Sequence, residues 1–593
     1  MSTRSKLIVS AAAVVAVAGG GAVALHADAA VAPAAATVQR ENLDRGLISV
    51  RSGAGNLLSW RLLGTEAATI GFHVYRGATR LTGTPITAST NYLDAGGAAN
   101  ASYTVRAVVD GTEQAASRAS LTFGSGFLDV PIGKPADGYT ANDASVGDLD
   151  GDGQYEIVLK WDPSNAKDNS QSGVTSNVFV DAYRLDGRRL WRIDLGRNIR
   201  AGAHYTQFQV FDYDGDGKAE VAMKTADGTR DGAGTVIGSS TADYRNSAGY
   251  ILTGPEFLTM FNGLTGAASS TVNYDPPRGK VSAWGDKYGN RVDRFLAGTA
   301  YLDGLRPSLI MARGYYTRTV IAAWDFRGGK LTKRWTFDSN QHSGYAGQGN
   351  HSLSIADVDA DGRQEIVYGS MAVDDTGGPL WTNGNGHGDA MHVGDLDPGR
   401  AGLEVFKVDE DGSKPSSWLA DARTGKVIWK TAANGDNGRG VSADIYAGSA
   451  GAESWSAAES GLRGPAGTVV SSRKPSSTNF VAWWDADPVR ELVDRTRIDK
   501  YGTAGETRLL TATGVHSNNG TKATPSLSGD ILGDWREEII WPTADDTALR
   551  IYSTPIPSTR RVPTLMHDLQ YRAAIAWQNS GYNQPPHPSF ALS

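Results

Sequence analysis

The sequence contains no cysteine. Disulfide staples and thiolate metal sites are therefore excluded. It also has no surplus of positive charge: 57 Lys and Arg face 64 Asp and Glu, a net charge of −7. That balance argues against nucleic acid or an anionic membrane as partner. Long apolar runs are absent after the first thirty residues, where nothing approaches the ~18 uninterrupted apolar residues of a membrane span. The one such run, Leu7 to Leu25, follows Arg4 and Lys6 and ends in "HADAA" (26–30). This reads as a signal peptide over residues 1–29, removed near Ala29. The mature protein is then expected to be secreted and extracellular, free of the membrane after cleavage. An exported chain without disulfides needs other cross-links, and metal ions are the obvious ones.

What is abundant is glycine (72 residues), with apolar content of 40%. Many strands joined by tight turns suit that composition. Residues 38–124 carry short strand-like runs, among them "LLSWRLLG", "IGFHVYRG" and "ASYTVRAVVDG", split by turn residues. Their alternation and spacing predict a small β-sandwich resembling a fibronectin type III module.

From residue 127 the chain repeats itself. The unit is an apolar run, an acidic turn and a second apolar run. "SVGDLDGDGQYEIVLKW" (145–161), "FQVFDYDGDGKAEVAMKT" (208–225) and "LSIADVDADGRQEIVYGS" (353–370) are full copies. Weaker copies begin at residues 392, 482 and 527, and two with most acids gone begin at 299 and 441. Between them lie strand–Gly turn–strand units such as "DAYRLDGRRLWRIDLG" and "LADARTGKVIWKTA". Two hairpins per repeat make a four-stranded antiparallel sheet. Eight sheets arranged radially make an all-β, eight-bladed propeller over residues 127–593.

The acidic turns have calcium-loop chemistry. Asp at positions 1, 3 and 5, Gly at 6 and Glu at 9 supply hard oxygen ligands around a sharp turn. Full matches are Asp148, Asp150, Asp152 and Glu156; Asp212, Asp214, Asp216 and Glu220; and Asp357, Asp359, Asp361 and Glu365. Position 7 (Gln154, Lys218, Arg363) is expected to ligate through its backbone carbonyl. Asp530, Asp534 and Glu538 keep positions 1, 5 and 9, with Leu532 and Arg536 offering carbonyls at 3 and 7. Asp395, Asp397 and Glu404 form a looser version with one extra residue. Both flanks read as strands, so each ion would clip a hairpin. His351, His387 and His392 stand near these loops, either as metal or substrate ligands or as structural histidines.

Other polar turns have no role in the repeat and fall at blade ends, which converge on one face around the central channel of a propeller. They include "YTANDASVG" (139–147), "LKWDPSNAKDNSQ" (159–171), "NGDNGRGVSADI" (434–445), "GVHSNNGTKATPSLSGDILGDWREE" (514–538) and "AIAWQNSGYNQPPHPSF" (574–590). With these segments together, the sequence resembles secreted rhamnogalacturonan lyases of polysaccharide lyase family eleven over essentially the whole mature chain. The resemblance implies an eight-bladed propeller holding several Ca²⁺ ions, preceded by a β-sandwich. It also implies, as substrate, the alternating rhamnose–galacturonate backbone of pectin, rhamnogalacturonan I. It implies substrate contacts at Asn142, Asp162, Asn519, Gly520, Thr521 and Tyr582, with Arg439 and Lys522 as the basic residues of the cleft. Asn579, Gly581 (through its carbonyl) and Asn583 match a calcium-binding turn, with His351 and Asp143 as further metal candidates.

The reaction so implied is β-elimination at C4–O4 of galacturonate. The C5 hydrogen lies α to a carboxylate, so a cation on that carboxylate and a base are both required. Lys522 is the first choice as base and Arg439 as carboxylate clamp, although the two roles could be reversed. The short segment "ANGDNGRGVSADIY" (433–446) favours endo over exo action. A non-catalytic calcium-dependent polysaccharide-binding propeller would explain the loops but not Arg439, Lys522 and Tyr582. A glycoside hydrolase would need a free carboxylate pair across the bond. The protein is expected to act as a monomer.

Overall fold

Ten four-stranded sheets carry nearly all the regular structure of the protein, whose computed structural model describes residues 37–592. The signal peptide expected over residues 1–29 lies outside the described residues. From Val38 onward the chain packs as one unit. Among the described residues no helix is long and apolar enough to cross a membrane.

Two sheets lie between Ile48 and Phe123. One pairs Ile48–Ser52 with Gly55–Ser59 and, in parallel, with Leu121–Phe123; the other is built on Gly71–Arg76 against Tyr103–Val109. The period-two pattern works as expected: Tyr103, Val105 and Ala107 are buried with Trp60, Phe72 and Val74 in one core. Trp60 meets Phe72 edge-on at 5.5 Å.

Eight sheets follow. In seven of them four consecutive strands pair in chain order. The eighth takes three strands, from Leu527–Gly529 to Ala548–Tyr552, and completes itself with Phe127–Pro131 from the start of the segment. In every one of the eight, an acidic-turn repeat joins the first strand to the second. The first strands of successive sheets touch one another from Tyr139–Gly147 through Gly440–Ala443, and Leu527–Gly529 touches Tyr139–Gly147 again.

The one α-helix among the described residues, α1 (Leu569–Trp577), has no counterpart in the strand-and-turn repeat. Asp568 caps it by accepting from the Tyr571 N–H at 2.8 Å. It touches the first strands of the first four sheets and of the eighth, so it stands where a channel was expected. All but Leu569 of its residues are buried. Arg572 reaches from it to Glu41 at 2.7 Å, tying it to the segment that enters the sandwich.

The seventh acidic turn shows what these turns require. Asp485, Asp487 and Glu491 converge as the metal-type clusters do. Here the Lys500 ammonium sits among them, at 3.0, 2.8 and 2.6 Å. A tethered cation takes the place of an ion. Lys500→Met should lower stability by about 3 kcal/mol, since it leaves the buried Glu491 carboxylate unpaired, and added calcium should restore part of the loss. Thermal melts in chelator and in calcium check this. A variant that melts like wild type, or ignores calcium, would show that Lys500 does not substitute for an ion.

Candidate functional site

The residues singled out above gather at the ends of the sheets away from the acidic turns. They stand within or just before a first strand, at the end of a second one (Asp162), or after α1 (Tyr582). Asn142 and Asp143 lie in Tyr139–Gly147, where the pairing with Glu156–Pro163 slips between Ala141 and Ala144. Such a bulge re-aims side chains.

Lys522 is the most enclosed cation of the group. It lies in the short turn Gly520–Lys522, flanked by Asn519 (φ 60°) and Ala523 (φ 54°), both left-handed. Two non-glycine residues in that region are a strain that persists only where the surroundings over-determine it. The Lys522 ammonium lies 3.3 Å from Asp389 Oδ2, donates to the Gly438 carbonyl at 3.2 Å and sits 3.9 Å from the Tyr582 ring centroid. Burial pulls its pKa down; Asp389 opposes this and Arg439 adds to it. Arg439 is more open. Its two Nη atoms donate to the Thr521 carbonyl and to Thr521 Oγ1, both at 2.5 Å.

Behind this pair is a fixed polar layer. Asp143 Oδ2 takes the buried Lys160 ammonium at 3.1 Å. Asp143 Oδ1 accepts from Asn519 at 3.1 Å and Asn583 at 3.0 Å. Asp143 is thus a brace between three elements, engaged on both oxygens. Asn579 likewise uses its amide on the Phe208 backbone, at 2.8 and 3.1 Å. Asn142 Oδ1 and Asp162 Oδ1, by contrast, are buried with no hydrogen-bond partner. Burial raises the Asp162 pKa, against the pull of Lys160. These two oxygens are the unsatisfied acceptors of the layer.

His351 and His387 come together with two residues that were not singled out, Asp389 and Glu410. One ligand atom from each of the four lies within 4.8 Å of the others. The His387 Nδ1 meets the Gly349 carbonyl at 2.7 Å and must carry the hydrogen. Its Nε2 lone pair then faces Glu410 Oε2 at 2.8 Å, and neither atom has an acceptable hydrogen bond. Two lone pairs at that distance repel unless a proton or a metal cation lies between them, and the four convergent donors fit a divalent metal. His392 is elsewhere, against His587 at 3.1 Å.

Tyr582 stacks on the His351 ring, centroids 4.6 Å apart and 7° from parallel. Gly581 permits this: its φ is +62°, and a Cβ there would fall 1.8 Å from the His351 carbonyl. His204, Asp168, Arg294, Tyr315 and Tyr316 complete the wall. Tyr315 bridges His204 (3.3 Å) and His351 (3.2 Å), and Tyr316 meets His351 Nε2 at 3.0 Å. Glu410 had a sequence signal: its N–H donates to the His387 carbonyl across the hairpin at 3.2 Å, a facing that the repeat register predicts. The others had none.

At the opposite end, Asp148, Asp150 and Glu156, Asp212, Asp214 and Glu220, and Asp357, Asp359 and Asp361 converge within metal-binding distance. In each of these turns the first Asp accepts from backbone N–H groups, and the Glu accepts from the residue after that Asp (Leu149, Tyr213, Val358) at 2.8–2.9 Å. The eighth turn differs. Arg536 grips Asp534 at 2.8 and 2.9 Å, and Asn91 of the sandwich reaches Asp534 at 3.5 Å. Protein cations already serve that turn. Asp395, Asp397 and Glu404 do not converge as a cluster among the described residues.

A family profile described as rhamnogalacturonan lyase family 11, C-terminal domain, matches residues 127–593, and one described as rhamnogalacturonan I lyases beta-sheet domain matches 38–123. The chain is 58% identical over 568 residues to the rhamnogalacturonan endolyase YesW of Bacillus subtilis, covering 93% of this chain and 91% of that one. It is 56% identical to the rhamnogalacturonan exolyase YesX of the same organism, covering 93% and 95%. The solved structure of a Bacillus licheniformis PL11 rhamnogalacturonan lyase matches with a TM-score of 0.92 at 60% identity, over 94% of this chain and 98% of that one.

Proposed function

This chain belongs to rhamnogalacturonan lyase family 11, and on that premise we propose that it is a secreted, monomeric rhamnogalacturonan lyase. It cleaves the rhamnose–(1→4)–galacturonate bond of the pectic rhamnogalacturonan I backbone by β-elimination, leaving unsaturated galacturonate ends. The observation that carries this reading is an enclosed ammonium, Lys522, beside a forked guanidinium, Arg439, held by one threonine.

The chemistry follows from those groups. Arg439 offers a planar fork to the galacturonate carboxylate, with the Thr521 hydroxyl at its edge. Asn142 and Asp162 accept from sugar hydroxyls, which fixes the ring. Lys522, neutral in the complex, takes the C5 proton. Electrons move into the C4–C5 bond and the rhamnosyl oxygen leaves. A divalent cation at His351, His387, Asp389 and Glu410 would supply positive potential against the charge that develops on the carboxylate.

The eight sheets are read as the blades of a closed propeller around α1, and the convergent acidic turns as calcium clips. Oxygen-only turns suit calcium; the imidazole-bearing site is compatible with a wider range of divalent metals. The short turn that carries Arg439 favours endo action. Incubation with rhamnogalacturonan I tests the whole reading. Ultraviolet-absorbing unsaturated uronide and an early fall in polymer size are expected. Products without the chromophore would mean a hydrolase. Small products from the outset would mean exo action.

Staple and site should separate under mutation. Asp214→Ala should lower stability by about 2–3 kcal/mol, the worth of one well-saturated ion, with little change in kcat at a temperature where the variant is folded. Tyr582→Phe and Thr521→Ala should leave melting unchanged and weaken kcat/KM, because both face the cleft. Equal melting losses in all three would undo that division.

A further inference from the structure

Arg291 is a guanidinium without a direct ion pair; the nearest anion acting on it is Glu410, at longer range. It stands three residues before Arg294, on the approach to the third sheet's first strand, Phe295–Ala300. Its Cζ lies 3.5 Å from the Tyr316 ring centroid. Its backbone is fixed, since its N–H donates to Asp286 Oδ2 at 2.6 Å. Among the described residues its side chain makes no hydrogen bond or ion pair, and Nη1 is buried and unpartnered. Arg294 is the contrast. It lies 5.5 Å from the same ring but is held by Asp168 at 3.4 Å and Asn290 at 2.5 Å. A half-buried guanidinium with no direct hydrogen-bonded pair is under-compensated, and a bound anion would offset that cost.

Its position says which anion. From Lys522 the wall runs through Tyr582, then His351, then Tyr316, and ends on Arg291. The Lys522–Arg439 pair and Arg291 are thus two cationic points joined by a chain of ring contacts, in which Tyr582 and Tyr316 are half-buried and His351 lies buried between them. The polymer has the matching pattern: a carboxylate on every second sugar, separated by a deoxysugar whose methyl-bearing face is apolar. We propose that Arg291, backed by Arg294, anchors a second uronate-binding subsite, which takes the carboxylate of the galacturonate one repeat away from the residue that is cleaved. Tyr316 holds the guanidinium flat so that its fork can pair with that carboxylate. This rests on the lyase reading above.

Steady-state kinetics of Arg291→Gln and Arg291→Lys on rhamnogalacturonan oligomers of graded length test it, with the polymer alongside. For Arg291→Gln, KM on the polymer and on oligomers long enough to reach both points should rise by roughly 10- to 100-fold, the loss of a charge-assisted pair. On the shortest cleavable oligomer KM should not change, and kcat should stay within about two-fold throughout. Arg291→Lys keeps the charge but not the fork, so its KM on long substrates should fall between wild type and Arg291→Gln. Misfolding cannot imitate a defect confined to long substrates. An Arg291→Gln enzyme with wild-type KM at every length, or with the same rise at every length, overturns the subsite and leaves the lyase reading standing. A wild-type protein that makes no unsaturated ends overturns both.

Discussion

Replacing Lys522 by arginine is expected to lower kcat by about 10²–10⁴-fold, the usual worth of a general base, while KM changes little. Arginine keeps the charge beside Asp389 and the contact with the Tyr582 ring, but a guanidinium does not give up its proton. The structure favours Lys522 over Arg439 for this role on electrostatic grounds. Burial lowers the Lys522 pKa, and Arg439 pushes the same way against Asp389. Arg439 is partly exposed and already donates two hydrogen bonds to Thr521. The pH sign follows. The active form is the neutral amine, so wild-type kcat should rise with pH through the lowered Lys522 pKa and then level. Arg439→Lys should keep that profile, with KM raised by roughly ten-fold for the lost bidentate pair. Near-normal turnover in Lys522→Arg together with none in Arg439→Lys would exchange the two roles.

Local rules carried some features and not others. The eight hairpins were legible because each carries its own signal, two apolar runs around an acidic turn, and the strand pairs fall on those runs. The sandwich strands were legible by alternation. The helix Leu569–Trp577 was not. It is nine residues long and buried all round, so it lacks the one-sided stripe by which a surface helix shows itself. Lys500 was invisible for a related reason: it lies in Arg497–Lys500, one strand beyond the hairpin whose turn it neutralises, and only the folded sheet brings them together. In the site, Asn142, Asp162, Lys522 and Tyr582 came from motif resemblance. Asp389 and Glu410 flank the hairpin of one sheet and Arg291 and Arg294 precede the first strand of another, and nothing in their local sequence tells that these two sheet ends meet.

Exhaustive chelation is expected to bring the protein close to unfolding and to abolish activity. Each ion held at a hundred times its Kd contributes about 2.7 kcal/mol, so three convergent acidic turns together contribute about 8 kcal/mol. That is comparable to the whole stability of a typical domain, about 5–15 kcal/mol. The carboxylates themselves indicate how much they need a cation. Without one, burial pushes Glu156 up to about 8, Glu220 up to about 9 and Glu365 up to about 8, with the neighbouring aspartates adding to the rise. The sign for stability is then fixed. Folded pKa values above the unfolded value of about 4.3 mean that the native state binds more protons than the unfolded chain between roughly pH 4 and 9. The stripped protein should therefore lose stability steadily as pH rises through that window. In saturating calcium the carboxylates stay ionised and bound, and the dependence should flatten or reverse, because protons then compete with the ion. Melting temperatures from pH 5 to 9, in chelator and in calcium, give the two curves. Parallel curves would mean that the acidic turns hold no ions and that protein cations, as at Lys500 and Arg536, neutralise these turns throughout.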